Sequence, residues 1–171
     1  MKTISFQTDI LPLKNELFRL ALRITQNRFE AEDVVQETML KVWKGRSEWD
    51  KIDNIEAYCL TVCRNLSLDK MRHMDNQVQN IEQESEPADQ SYSANPEEQA
   101  VQHDRLQLVR KLISQLPEKQ RTCMQLRDVE GKSYRDIANI IGISEEQVKV
   151  NIFRARQTIR ERFQQAENFK R

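Results

Sequence analysis

Ser133-Tyr-Arg-Asp-Ile-Ala-Asn-Ile-Ile-Gly-Ile-Ser144, followed by a long basic segment to Phe163, is the stretch that decides how this chain folds. Ile137, Ala138 and Ile141 give a short first helix an apolar face, and Gly142 ends that helix as a left-handed cap. Ser144 then stands where it can cap a second helix, with Gln147 three residues on to close a capping box. Ile143 and Val148 flank this start at the positions of a hydrophobic staple. A turn this tight sets two helices at a steep crossing, so the second can enter a DNA major groove while the first lies across the backbone.

The second helix carries the two faces such a role requires. Val148, Ile152, Ala155, Ile159 and Phe163 form a continuous apolar stripe. At about 100° per residue, Lys149, Arg156 and Arg160 gather on one flank, while Glu146, Val150, Arg154 and Gln157 point away from the stripe. A solvated amphipathic helix in a bundle would show the same periodicity. The capped Gly-Ile-Ser turn leading into a basic helix favours DNA binding.

Composition sets the frame around this motif. A chain of 171 residues accommodates one ordinary domain or two small ones. Three Gly, four Pro, 32% charged residues and a mean hydropathy of −0.77 point to long helices rather than sheets. The formal net charge is zero, yet the charge is unevenly spread. Residues 1–74 carry 12 Lys/Arg against 11 Asp/Glu, residues 75–95 carry none against 5, and residues 96–171 carry 15 against 11. Neutrality thus conceals an acidic bridge and a basic C-terminal part, the sign expected of a nucleic-acid surface.

Cys59, Cys63 and Cys123 are too few for a disulfide scaffold, which fits a reducing cytoplasm. Cys59 and Cys63 share a helical face and could in principle share a metal. That face also carries Ile55, Val62 and Leu66, and neither His73 nor His103 stands at ligand spacing, so buried thiols are expected. Neither a metal nor a cofactor is expected. No signal-peptide-like run or membrane-length apolar stretch is present, and the expectation is a soluble cytoplasmic protein without membrane insertion.

From Asp75 to Asn95 the chain is rich in Gln, Glu, Ser and Asn with no periodic apolar face, the composition of a mobile tether. An all-α fold follows: two small helical domains, 1–74 and 96–171, joined by a flexible acidic linker, 75–95. Three helices are expected before the linker. The first, near 9–26, buries Leu13, Leu17, Leu20, Ala21 and Ile24. The second, near 30–45, buries Ala31, Val34, Val35, Met39 and Val42. The third starts from an Asp53 cap with Glu56 reaching back, and runs to about His73. A loop with an exposed-looking Trp49 joins the second to the third. Helices near 97–115 and 118–129 precede the helix-turn-helix. Opposite the buried arc of the second helix stand Asp33, Gln36, Glu37, Leu40 and Lys44, and a leucine amid that polar face is an anomaly a protein interface would explain.

Three motifs together resemble a known family. Phe29-Glu-Ala-Glu-Asp-Val-Val-Gln-Glu-Thr-Met-Leu-Lys-Val-Trp43 resembles the polymerase-binding helix of bacterial RNA polymerase sigma factors of the extracytoplasmic-function group. Glu56-Ala-Tyr-Cys-Leu-Thr-Val-Cys-Arg-Asn-Leu-Ser-Leu-Asp-Lys-Met-Arg72 is similar to their promoter-melting helix. Leu116-Pro-Glu-Lys-Gln-Arg121, Tyr134-Arg-Asp-Ile-Ala138 and Ile152-Phe-Arg-Ala-Arg156 resemble their C-terminal domain. The resemblance covers nearly all of the chain outside residues 1–8, the linker and the last few positions, in the minimal two-domain form.

The resemblance implies a dissociable initiation subunit. Its N-terminal domain would bind the clamp helices of core RNA polymerase through Asp33, Gln36, Glu37, Leu40 and Lys44, and open the minus-ten element. Melting without an ATPase requires that unstacked bases be captured by stacking and polar contacts. Trp49, Asp50, Lys51 and Asn54, with Thr61, Arg64, Asn65 and Arg72 on the following helix, supply such groups, although Trp49 could equally cap the core over the helix ends. The C-terminal domain would dock on the polymerase flap and read the minus-thirty-five element through Arg135, Glu146, Gln147, Lys149, Val150, Asn151, Arg154 and Arg156. Val150 and Asn151 depart from the Ser and Arg common there. Asn151 could read adenine or be spaced off the DNA. The acidic linker could run through the polymerase's basic nucleic-acid channel. An anti-sigma factor is an implied partner, and the free chain is expected to be monomeric. The alternative is a helix-turn-helix regulator with an N-terminal sensing or dimerisation domain, but no ligand pocket, phospho-acceptor or dimer seam is evident. An enzyme is disfavoured because no phosphate loop, metal set or nucleophile–base pair is present.

Overall fold

The structure is a computed structural model, and it describes residues 3–76 and 96–169. Among these, every regular element is helical. The N-terminal unit holds α1 (Lys14–Thr25), α2 (Arg28–Lys44) and α3 (Ile55–Asn76), each packed on the other two. The C-terminal unit holds α4 (Pro96–Ser114), α5 (Glu118–Met124), α6 (Tyr134–Ile141) and α7 (Glu145–Phe169). Residues 77–95, where the acidic tether was expected, lie outside the described residues, but Asp75 and Asn76 are the last turn of α3.

Local chemistry accounts for the helix boundaries. A wide turn (Phe6–Ile10) and a tight turn (Leu11–Leu13) with Pro12 near its start lead into α1, so the regular helix begins later than residue 9. Thr25 is followed by Gln26 in the left-handed region at φ 56°, a position glycine would usually fill. Asn27 then caps α2, its Oδ1 accepting the Glu30 amide at 3.1 Å. The start of α3 differs from the sequence expectation. Asn54, not Asp53, accepts the free Ala57 amide, at 3.0 Å, and the helix begins one residue later. The segment after α5 leaves α-geometry at Gln125–Val129, so the helix expected over 118–129 is a short helix and a wide turn.

Apolar burial organises both units. Ile10, Leu17, Leu20, Ile24, Val34, Val42 and Leu60 are fully buried around the α1–α2–α3 contacts. In the second unit Leu126, Ile137, Ile140 and Val148 play that part, and Ile152 and Ala155 continue the stripe of α7. Met39 is half-buried. The three cysteines are free and buried, and the Cys63 thiol donates to the Leu17 carbonyl at 3.3 Å. Burial pushes the Cys59 and Cys63 thiols up to about 12 and Cys123 to about 11, so all three stay protonated and inert at neutral pH. No described helix is long and apolar enough to cross a membrane.

Of the two readings of Trp49, the structure shows the cap on the core, and the exposed-looking position in the loop is corrected. Trp49 is 9% exposed, and its indole N–H donates to the Val42 carbonyl at 3.1 Å, at the orphaned end of α2. Its ring meets Trp43 edge-on with centroids 6.2 Å apart, and Trp43 in turn meets Phe6 at 5.4 Å. The loop's aromatic residue therefore closes the core over the helix ends. Trp49→Ala is expected to destabilise the chain by about 3 kcal/mol or more, read from urea unfolding. Unchanged stability would show that the indole is not a core element.

Candidate functional site

Three surfaces carry the residues singled out above. On α2, Ala31, Val34, Val35, Thr38 and Val42 face the core, and the Thr38 hydroxyl bonds its own helix at the Val34 carbonyl. Gln36, Leu40 and Lys44 are exposed, and Asp33 and Glu37 half-exposed, so the five residues expected to meet polymerase lie on the side of α2 away from the core. Leu40 is 53% exposed. The sequence reading missed Lys70 of α3, whose ammonium lies 2.5 Å from Asp33 and 3.5 Å from Glu37. That hydrogen bond holds the Asp33 carboxyl below the usual carboxylate range. It also missed Phe29 and Trp43, exposed apolar rings that extend the same stripe at both ends. Their spacing of i−4 from Asp33 and i+3 from Leu40 could have revealed them.

The second surface is the loop after α2 with the outer side of α3. Asp50, Lys51, Asn54, Asn65 and Arg72 are exposed. Lys51 pairs with Glu48 at 2.6 Å and Arg72 with Asp69 at 3.3 Å, both solvent-screened contacts. Thr61 is half-buried and its hydroxyl bonds the Ala57 carbonyl at 2.9 Å. Arg64, expected on the outer face, is instead 7% exposed. Its guanidinium grips the Glu118 carboxylate at 3.1 and 3.2 Å and donates to the Ile141 carbonyl at 3.4 Å. Neither Trp49 nor Arg64 lies open on this surface.

The third surface is the helix-turn-helix. Ser133 caps α6 by accepting the Asp136 amide at 3.1 Å, and Gly142 terminates that helix at φ 79°. Both bonds of the capping box form: Ser144 Oγ accepts the Gln147 amide at 3.1 Å, and Gln147 Oε1 accepts the Ser144 amide at 3.0 Å. Arg135, Glu146, Gln147, Lys149, Val150 and Arg154 are exposed, and Asn151 is half-buried. Ser144, Gln147, Val150, Asn151 and Arg154 line an open concavity at the capped end, with Lys119 on its rim. Several of these groups are already engaged. The Asn151 amide donates to the Gln147 carbonyl at 2.7 Å, and Arg156 forks onto Asp128, which raises its pKa further. Lys149 sits 5.4 Å above the Tyr134 ring, a ring also covered by Arg127 at 4.3 Å.

The two units are packed together: their buried apolar residues form one core cluster, and polar contacts also cross the seam. Besides the Arg64–Glu118 pair, Arg19 forks onto Glu130 at 2.6 and 2.8 Å, and Lys132 bonds Glu56 while lying 2.8 Å from Glu16. The Gln26 amide donates to the Ser114 carbonyl at 2.9 Å. Arg121, 4% exposed, donates to the carbonyls of Ser114 and Leu116, each at 3.1 Å, and to that of Ile24 at 3.4 Å, serving orphaned acceptors in both units. Burial lowers its pKa. Helix α6 lies against α3, which is what covers Arg64.

Comparisons with known proteins converge on one family. Residues 10–76 match the family model Sigma-70 region 2, and residues 106–159 match Sigma-70, region 4. The ECF RNA polymerase sigma factor EcfG of Rhodopseudomonas palustris is 31% identical over 156 residues, covering 90% of this chain and 82% of that protein. The factor SigL of Mycobacterium tuberculosis is 33% identical over 147 residues, covering 84% and 80%. Among solved structures, the sigma factor RpoE of Bartonella quintana, in complex with the anti-sigma factor NepR, superposes with a TM-score of 0.71 at 25% identity over 91% of this chain and 94% of that one. CnrH, in complex with the cytosolic domain of CnrY, shares the fold with a TM-score of 0.60 at 19% identity, over 91% of this chain and 85% of that one.

The ion pairs that cross the seam make its docked arrangement sensitive to the loss of one charge. Glu118→Ala leaves the Arg64 guanidinium buried without its counter-charge, a situation that costs about 3–5 kcal/mol. The expected relief is separation of the units: a larger radius of gyration by small-angle scattering, at unchanged helical circular dichroism. Loss of helicity with no intermediate expansion would show instead that the units stand or fall together.

Proposed function

The chain belongs to the extracytoplasmic-function group of RNA polymerase sigma factors and is a transcription initiation factor, and from that premise we propose how its surfaces divide the work. The outer face of α2 binds core polymerase through Asp33, Gln36, Glu37, Leu40 and Lys44. The observation that carries this assignment is Leu40, an exposed leucine on an otherwise well-cored helix, set among carboxylates that Lys70 holds in place. An exposed apolar side chain within a polar rim is a layout that an interface would bury. The unit spanning residues 1–74 opens the minus-ten element, with Asp50, Lys51, Asn54, Asn65 and Arg72 as the groups already open to DNA. Trp49 supports this loop from within.

The unit from residue 96 onward reads the minus-thirty-five element. Contacts divide between phosphates, which position, and base edges, which specify. Arg154, with no hydrogen bond to the protein, is free to meet a base, while Lys149 and Arg135 meet phosphates. Arg156 contributes to DNA only after leaving Asp128. The two elements lie on the order of 80 Å apart along B-form DNA, at about 3.4 Å per base pair. Units that touch through α3 and α6 cannot span that distance, so the packed form is that of the free monomeric chain, and polymerase binding separates the units. Separation uncovers Arg64 for the melted strand. The two units remain joined through residues 75–95 when they separate, and this role needs no catalytic step from the chain. An anti-sigma partner in the cytoplasm, of the kind seen with RpoE of Bartonella quintana, would act by retaining the packed form.

Run-off transcription with purified core polymerase tests this directly. The chain should yield a transcript from a discrete promoter, and core alone should not. Leu40→Ala with Glu37→Ala should leave the melting temperature nearly unchanged and weaken core binding by about 1–4 kcal/mol, with the transcript falling in parallel. A double variant that binds core normally, or that unfolds, contradicts the assignment of this face. Binding to DNA without any effect on core would favour the helix-turn-helix regulator.

A further inference from the structure

The outward face of α7 is less polar than a DNA-reading surface usually is. Val150 stands nearly opposite the buried Val148–Ile152–Ala155 stripe and is 44% exposed. Phe153, three residues on and therefore beside it, is 66% exposed. Scattered surface hydrophobes need no explanation. These two are adjacent, however, and they occupy the turns that directly follow the capping box. Three of the polar neighbours there are occupied, and Glu146 and Arg154 are not. Gln147 closes the capping box, the Asn151 amide is bonded to its own helix, and Gln157 donates to Glu161 at 3.2 Å. What α7 presents at its centre is hydrocarbon next to the unengaged Arg154.

We infer that Val150, flanked by Phe153, reads the 5-methyl group of a thymine in the upstream promoter element. The inference rests on the reading of α7 as the helix that enters the major groove. In that groove each base pair displays a fixed pattern of donors and acceptors, and thymine alone adds a methyl group. A valine against cytosine would bury the N4 amino donor without a partner, and against a purine it would cover N7. Against thymine it removes two apolar surfaces from water at once. Val150 thus selects by complementarity and by penalty together, and Arg154 alongside supplies a hydrogen-bonded contact to a neighbouring base. Phe153 screens the methyl contact from water on the Lys149 side.

The test uses the full chain bound to core polymerase and a promoter library randomised across the upstream element. The wild-type holoenzyme should select thymine at one or more positions. Val150→Ser should lose one such thymine preference and keep the remaining positions, whereas Val150→Thr, which retains a methyl, should keep it. In the selected promoter, deoxyuridine in place of that thymine removes only the methyl group. It should lower wild-type affinity about three- to fivefold, the effect of one buried methyl, and leave the Val150→Ser holoenzyme unchanged. Thymine preferences identical in wild type and Val150→Ser, or a deoxyuridine penalty equal in both, would overturn the inference while leaving α7 a DNA reader. A library from which the wild-type holoenzyme selects no upstream sequence at all would overturn that underlying reading as well.

Discussion

The buried guanidinium of Arg64, held by both oxygens of Glu118 and by the carbonyl that ends α6, is the contact on which the arrangement of the two units depends. A buried ion pair adds little net stability, because desolvation offsets most of its attraction. It is demanding about geometry, since either partner alone in the same place is costly. That combination specifies one docked orientation without making it permanent. Two further sets of contacts, Arg19 with Glu130 and Lys132 with Glu16 and Glu56, also join oppositely charged side chains across the units. Interfaces of this polarity between units of one chain ordinarily permit relative motion.

The charge distribution now has a structural meaning. The formal neutrality of the chain is not a blend of scattered charges. Acidic side chains of the first unit, Glu16 and Glu56, receive a lysine of the second, while acidic Glu118 and Glu130 of the second receive arginines of the first. The carboxylate of Glu118 occupies Arg64 much as a phosphate could, which makes docking and nucleic-acid contact mutually exclusive for that side chain. Lys70 plays a comparable part on a smaller scale, tying α3 to the carboxylates of α2, and so joins the two helices proposed to melt promoter DNA and to bind polymerase.

Much of the fold was legible in the sequence because its signals were local. The Ser144–Gln147 capping box, the Gly142 stop and the α7 stripe each depend on residues within a few positions of one another, and each appears as expected. The helix starts were less legible where two capping residues compete: Asp53 and Asn54 are equivalent on paper, and the geometry of the preceding loop selects Asn54. Trp49 takes the core-capping one of its two readings, through Val42 only seven residues back at the end of α2. Arg64 was misplaced for a different reason: its surroundings come from α5 and the end of α6, and no periodicity encodes a partner tens of residues away. Arg121 and Lys132 went unnoticed for the same reason, as both act across the seam. The family motifs mark the helices to which functions are assigned here as proposals. They could not anticipate that two of these helices would cover each other.

The central claim is that one chain exists in two arrangements, packed when free and extended on promoter-bound polymerase. Fluorescence energy transfer between a donor on the exposed side of α2 and an acceptor at the exposed C-terminal half of α7 measures this directly. The account predicts high transfer in the free chain, consistent with touching units, and a fall to near zero once core polymerase and promoter DNA are added. Transfer that stays high in a complex actively initiating transcription would contradict it, since the units would then be working without ever coming apart.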